Sequence, residues 1–156
     1  MSSAHPVATV FGLGRLPGAP GSWASLAALP PAWAIVWAGG PWALAGAALL
    51  AGIAGCRAAA QYERATGERD ASAVVVDEVV GQWLVLATLP LDLLAYALGF
   101  AAFRLFDIAK PPPIGWIERK ITGGPGVMAD DVAAAACAAV LIHLADWGLG
   151  DGILFG

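Results

Sequence analysis

Between Gly21 and Cys56 the sequence carries no charged side chain, and between Val79 and Phe103 it carries only Asp92. Apolar runs of this length leave few options. Roughly a quarter of the residues in an ordinary soluble domain are charged. Here 59% of 156 residues are hydrophobic and 13% are charged, with a mean hydropathy of +0.72. Such a chain cannot supply a polar shell, and its length suits one domain. A single integral membrane domain is therefore expected.

Glycine and proline divide the apolar runs. Gly39-Gly40-Pro41 predicts a hairpin of helices near 23–38 and 42–60, with Pro30 and Pro31 bending the first, because proline removes a backbone donor and clashes with the preceding turn. Residues 61–76 hold much of the charge and read as a polar loop. The second run predicts helices near 78–89 and 92–108 with a turn at Pro90. A short amphipathic helix is expected at 112–120. "TGGPGVMADD" (122–131) reads as a flexible loop before a last apolar helix at about 130–147, whose Ala-rich faces suit close contact in lipid. The fold class is all-α: a compact bundle of about five apolar helices, mostly membrane-embedded. A perpendicular span needs about 20 apolar residues. The second and last helices reach that; the first and third must tilt, thin the bilayer or sit shallowly.

Arg15 precedes the first helix; Arg57, Arg64 and Arg69 follow the second; Arg104, Lys110, Arg119 and Lys120 follow the fourth. An up-down arrangement puts all three places on one side, and the positive-inside rule makes that side cytoplasmic. The net charge of −4 comes without a basic patch, so no nucleic-acid partner is expected. Cys56 and Cys137 form neither a metal spacing nor a disulfide framework. No cleavable signal peptide is expected from "MSSAHPVATVFGLGRLPG".

This topology gathers four polar stretches at one membrane face: "GLGRLPGAPGSWASL" (12–26), "VVVDEVVGQW" (74–83), "FRLFDIAKPPPI" (103–114) and "GGPGVMADDVAAA" (123–135). Asp77-Glu78 and Asp130-Asp131 each open an apolar helix. Acids at a helix N-terminus serve as caps. Acidic pairs in membrane helices are also costly and usually functional. Asp107 adds a fifth carboxyl on a third helix. Five convergent carboxyls repel one another unless neutralised, and hard oxygen ligands suit Mg²⁺. Arg104, Asp107 and Lys110 share a helix face at three-residue spacing. The two cations suit phosphate, Arg104 as a fork and Lys110 as a point charge; snorkelling cations with Asp107 as partner fit the spacing equally well. Pro111 ends that helix near Lys110. "GLGRLPGAPG" lacks the pattern of a dinucleotide-binding or P-loop motif. It is either a phosphate cradle at a helix start or a plain loop capped by Ser22.

The four stretches, in this order and spacing, resemble the phosphatidylglycerophosphatase A family from about Phe11 to Cys137. The resemblance implies a Mg²⁺-dependent lipid phosphate monoesterase of the bacterial inner membrane. Its site would face the cytoplasm, and it would convert phosphatidylglycerophosphate to phosphatidylglycerol. The family pattern falls on Gly21, Ser22, Asp77, Glu78, Gly81, Arg104, Asp107, Lys110, Pro111, Pro113, Asp130 and Asp131. Ser22 stands where threonine is frequent, and Pro112 where an aromatic is common. Residue chemistry and resemblance agree on a division of labour. Asp77, Glu78, Asp107, Asp130 and Asp131 form the pool of metal ligands, with Asp77, Glu78, Asp107 and Asp131 the candidate catalytic acids. Arg104, Lys110, Ser22 and Gly21 bind phosphate. An aspartyl-phosphate on Asp107 is a second variant. No Cys-x₅-Arg or D-x-D nucleophile motif is present. The rival class is a small cation transporter or channel subunit using the acids as an ion site, although such sites lie near the bilayer midplane.

Overall fold

The computed structural model describes residues 4–68, 71–121, 124–149 and 154–155; Arg69 lies outside them. All regular structure among these residues is helical. Helix α1 (Ala4–Ala8) and a 3-10 turn at Leu13–Arg15 lead into α2 (Pro20–Ala27) and α3 (Leu29–Thr66). α2 and α3 part at Ala28, just ahead of Pro30 and Pro31 in the first turn of α3, so the expected bend is there. Within α3, Gly40 takes φ 77° and ψ 179° immediately before Pro41, a conformation essentially reserved for glycine.

Gly40 reverses the chain, as the contacts with α4 (Val76–Leu86) show. Gly21 lies against Glu78, and further along the Ala28 carbonyl accepts a hydrogen bond from Trp83 Nε1 at 2.9 Å. The first arm therefore runs parallel to α4. Beyond Gly40 the order inverts: Gly52 faces Val80 and Gly55 faces Val76. The two arms are antiparallel, which is the hairpin the Gly-Gly-Pro signal predicts.

Two stretches expected to be loops are helical in part. α3 continues to Thr66, because Gln, Glu and Arg are good helix formers whatever their charge. It stops at Gly67, a left-handed glycine with φ 75°. α7 (Gly124–Gly148) already begins within "TGGPGVMADD". Pro125 is tolerated there because a first-turn N–H has no intrahelical partner to lose. Asp130 and Asp131 consequently sit more than a turn inside α7, and helix capping does not account for them. Capping does account for Asp92, which opens α5 (Leu93–Ala109) by accepting the Ala95 N–H at 3.0 Å. α5 ends at Lys110, whose φ of 43° precedes the three prolines, and the short α6 (Ile114–Lys120) follows.

The core joins Leu44, Val85, Leu86, Tyr96, Phe103 and Ile114 to the alanine face of α7 at Ala134, Ala135 and Ala138. Trp33 meets Tyr96 edge to face at 5.1 Å and seats the first arm on α5. A Cβ on Gly81 would stand 2.5 Å from the Phe103 ring and 3.2 Å from the Asp131 carbonyl oxygen. Glycine at that point lets α4, α5 and α7 close together beside the acids. Among the described residues two segments are long and apolar enough to cross a membrane, Pro20–Thr66 (folded back at Gly40) and Pro125–Gly148. α4 and α5, at 11 and 17 residues, are shorter.

Candidate active site

α2, α4 and α7 begin at the same end of the bundle where α5 and the second arm of α3 finish. Their termini enclose a cavity of about 300 Å³. α2 contributes Gly21, α4 Asp77 and Glu78, the end of α5 Asp107 and Lys110, and α7 Asp130 and Asp131. Five carboxyls distant in sequence thus share one wall. Asp77, Asp107, Asp130 and Asp131 are buried and Glu78 is half-buried.

The acids divide into two sets. One oxygen from each of Asp77, Glu78 and Asp131 lies within 4.8 Å of the others. The remaining two acids are held by cations. Arg104 Nη1 donates to Asp107 Oδ2, and Lys110 Nζ donates to Asp130 Oδ2 at 2.7 Å. This explains the three-residue spacing of Arg104, Asp107 and Lys110: the arginine engages the acid one turn on, while the lysine leaves its own helix for α7.

The first set fits a divalent cation. Asp77 Oδ1, Glu78 Oε2 and Asp131 Oδ2 are buried and accept no hydrogen bond within the chain. Buried carboxylate oxygens without donors are costly. Burial pushes the Asp77 carboxyl well above its usual range, and the neighbouring charges of Glu78 and Asp131 push the same way. Burial also raises Glu78, against smaller opposing pulls from hydrogen bonding with Asp77 and from the Arg104 charge. A cation among the three would relieve both the crowding and the missing hydrogen bonds. A divalent cation bound there would be held by one oxygen from each of the three acids.

Of the four residues expected to bind phosphate, Gly21 and Lys110 line the cavity, whereas Ser22 and Arg104 do not. Arg104 stands behind the wall. A Cβ on Gly21 would overlap Glu78 Oε1 and lie 3.1 Å from Arg104 Nη1, so Gly21 is where α2 makes room for that pair. The sequence reading missed the outer wall, formed by Tyr62, Glu63, Glu68 and Ser72. Ala59, Tyr62 and Glu63 share a face at helical spacing; reading 61–66 as helix would have exposed it.

The sequence pattern of phosphatidylglycerophosphatase A matches residues 6–146. The chain belongs to the phosphatidylglycerophosphatase A family. It is 36% identical over 150 residues to phosphatidylglycerophosphatase A of Escherichia coli, covering 94% of this chain and 86% of that one. It is 35% identical over 139 residues to the Haemophilus influenzae enzyme of the same name, covering 88% and 85%. A Bacteroides thetaiotaomicron protein named as a candidate phosphatidylinositol-3-phosphatase is 38% identical over 156 residues, covering 92% of this chain and 94% of its own. No solved structure gives a significant match. The family makes this chain a phosphatase, and the rival reading as an ion carrier finds no support among these relatives.

Proposed function

We propose that this phosphatase is embedded in the bacterial inner membrane and releases phosphate from phosphatidylglycerophosphate with the help of Mg²⁺, at a site facing the cytoplasm. The carrying observation is the make-up of the cavity. Five carboxyls and one lysine of the predicted site line it, and Glu63 and Glu68 add to the outer wall. A dianionic phosphate monoester does not enter such a cavity unless positive charge is added. Asp77, Glu78 and Asp131 are the residues placed to hold it.

A bound Mg²⁺ would shield the phosphate oxygens and lower the pKa of a water molecule. The chain's own residues do the rest. Lys110, braced by Asp130, presents its ammonium to the phosphate. Arg104 fixes the Asp107 carboxylate at the cavity wall, where it can take a proton from the attacking water and return it to the departing glycerol oxygen as that P–O bond breaks. Phosphoryl transfer needs mainly positioning and charge neutralisation of this kind.

The surface supports the membrane setting. Trp37, Trp42 and Trp147 are 79%, 87% and 83% exposed. They sit at the hairpin tip and the end of α7, all at the end of the bundle remote from the cavity. Trp23 and Trp116 are exposed at the cavity end, and Leu49, Leu50, Ile53, Val140 and Leu144 are exposed between. Tryptophans flanking an apolar belt mark membrane interfaces. At 1.5 Å per residue, Asp131 and Trp147 are about 24 Å apart along α7, close to a hydrocarbon thickness of ~30 Å. The acids then lie at one lipid–water boundary. Arg15, Arg64, Arg104, Lys110, Arg119 and Lys120 lie toward that end, and the positive-inside rule supports reading it as the cytoplasmic one.

The test is phosphate release by the purified protein in detergent from phosphatidylglycerophosphate, with Mg²⁺ or with EDTA. Release that stops in EDTA and returns with Mg²⁺ is expected; release indifferent to EDTA removes the metal from the reading. Phosphatidylinositol 3-phosphate, suggested by the name of the Bacteroides relative, belongs in the same assay. Faster turnover of that lipid overturns the substrate assignment.

A further inference from the structure

The loop between α1 and α2 holds three successive residues at positive φ: Val10 at 46°, Phe11 at 55° and Gly12 at 97°. Glycine tolerates that region, whereas a β-branched valine or a phenylalanine there is strained. Such strain persists only where the surrounding structure over-determines it, and it concentrates at sites of ligand contact. Here the constraints are visible. The Val10 side chain packs on the cluster of Ala24, Ala28, Val75 and Val79. Every backbone N–H from Val10 to Leu16 donates to a carbonyl between Pro6 and Leu13. Among them, Phe11 N–H meets the Pro6 carbonyl at 2.7 Å and Gly14 N–H the Thr9 carbonyl at 3.0 Å. Phe11 itself is 90% exposed. A tightly hydrogen-bonded loop thus holds an aromatic ring away from the rest of the protein.

The loop is fastened to the rim of the cavity. Gly14 is pressed against the Ala73 carbonyl, and Val75 N–H donates to the Ala8 carbonyl at 2.9 Å. Ser72 and Val74, beside these contacts, line the cavity, as do Pro20 and Gly21 where the loop enters α2. Trp23 Nε1 donates to the Pro17 carbonyl at 3.4 Å, which ties the other end of the loop to α2. The loop therefore stands at the level of the acids. Arg15 and Leu16 are exposed in it, as Phe11 is. Two exposed apolar side chains and an arginine in one short turn match the apolar and anionic layers of a phospholipid surface. The patch is also continuous, through Trp23, with the lipid-facing belt, which favours lipid over a water-soluble protein as its partner.

We propose that residues 10–17 form a wedge in the cytoplasmic leaflet. The Phe11 ring and Leu16 enter the upper acyl-chain region, and the Arg15 guanidinium meets the phosphates of anionic phospholipids. The inference rests on the reading of the cavity as lying at the cytoplasmic lipid–water boundary. The left-handed pair is what turns the Phe11 ring outward while Val10, its neighbour, stays packed on the bundle. The wedge has a consequence for the cavity. Gly14 and Ala8 hold the loop to residues 72–75, so anchoring the loop fixes the rim at headgroup depth. A phosphorylated headgroup then enters from the plane of the leaflet and not from bulk water.

The experiment uses the full chain in vesicles of phosphatidylethanolamine with a minority of phosphatidylglycerol. Cys56 and Cys137 are replaced by alanine, and a nitroxide spin label is attached through Phe11→Cys, Leu16→Cys, Leu50→Cys or Gln61→Cys in turn. Leu50 is exposed in the apolar belt and Gln61 on the polar end of α3. Power saturation compares collisions with oxygen, which concentrates in lipid, and with a water-soluble nickel chelate. Labels at 11 and 16 should behave like the one at 50, open to oxygen and shielded from nickel. Labels at 11 and 16 that behave like the one at 61 overturn the wedge and leave the membrane reading standing. A label at 50 within reach of nickel overturns both. Labels at 11 and 16 shielded from both probes mean that protein covers the loop, and overturn the wedge as well. Phe11→Gly removes the ring and relieves the left-handed strain, so the melting temperature should not fall. On vesicles, KM of this variant for phosphatidylglycerophosphate should rise about tenfold, with kcat within about twofold of wild type. A short-chain analogue kept monomeric in water should show the wild-type KM. An unchanged KM on vesicles overturns the role given to the wedge.

Discussion

Replacing Gly21 by alanine should give a protein that folds and hardly works. Gly21 is buried in the first turn of α2. The added methyl would stand 3.0 Å from Glu78 Cδ, closer still to Glu78 Oε1, and 3.1 Å from Arg104 Nη1. Two opposing effects act on stability. Alanine is preferred to glycine in a helix by up to about 1 kcal/mol. Overpacking costs typically 1–3 kcal/mol. The net loss is therefore roughly 0–2 kcal/mol, a shift in melting temperature of a few degrees. The effect on turnover is larger. Relief of the overlap requires the Glu78 carboxylate to move by roughly 1 Å, and a displacement of that size in a catalytic constellation costs on the order of 100-fold. Phosphate release in detergent, together with a thermal melt of the same sample, measures both. A Gly21→Ala protein with a near-normal melt and activity within about threefold of wild type would show that Glu78 and Arg104 need no such placement.

Asp131→Asn should abolish Mg²⁺-dependent release while raising the melting temperature of metal-free protein, because one of three mutually repelling buried acids is gone; a lower metal-free melt contradicts that account. Lys110→Met leaves Asp130 without its 2.7 Å partner and should raise KM by tenfold or more with a smaller change in kcat; a purely kcat effect removes Lys110 from phosphate binding. The raised Asp77 pKa fixes the sign of two pH effects. As pH falls, Asp77 takes a proton before an ordinary carboxyl does, so the Mg²⁺ concentration needed for half activity should rise on the acid side, and a flat requirement argues against Asp77 as ligand. In metal-free protein the same group stabilises the fold fully below the usual carboxylate pKa. That contribution is lost as pH rises through the raised folded value, so melting temperature should fall toward neutral pH and recover with Mg²⁺.

The arrangement gives each basic residue of the third motif a separate task. Arg104 is committed to Asp107 behind the wall, and Lys110 reaches across to α7 and faces the cavity. A helix alone would set Arg104, Asp107 and Lys110 in one row. The left-handed turn at Lys110 and the prolines after it take the lysine off that row, which is why it meets Asp130 rather than Asp107.

What the sequence determined by itself is the set of decisions made within a few residues. Charge-free runs specified apolar helices. Gly39-Gly40-Pro41 specified the reversal, because Gly40 takes a backbone conformation few other residues tolerate. The four motifs carried the family, and the placing of acids at helix ends already pointed to one polar wall. Local signals also misled where charge was taken for disorder: 61–66 and 124–131 are helix, since Gln, Glu, Arg and a first-turn proline are all compatible with one. Only the tertiary structure decided which acids face one another and which are answered by a cation. Helical spacing fixes neighbours on one helix, but partners on different helices depend on how closely and at what rotation those helices pack. Here Gly21 and Gly81 set that approach. They bring α2, α4, α5 and α7 near enough that Asp77, Glu78 and Asp131 become a cluster while Asp107 and Asp130 become ion pairs.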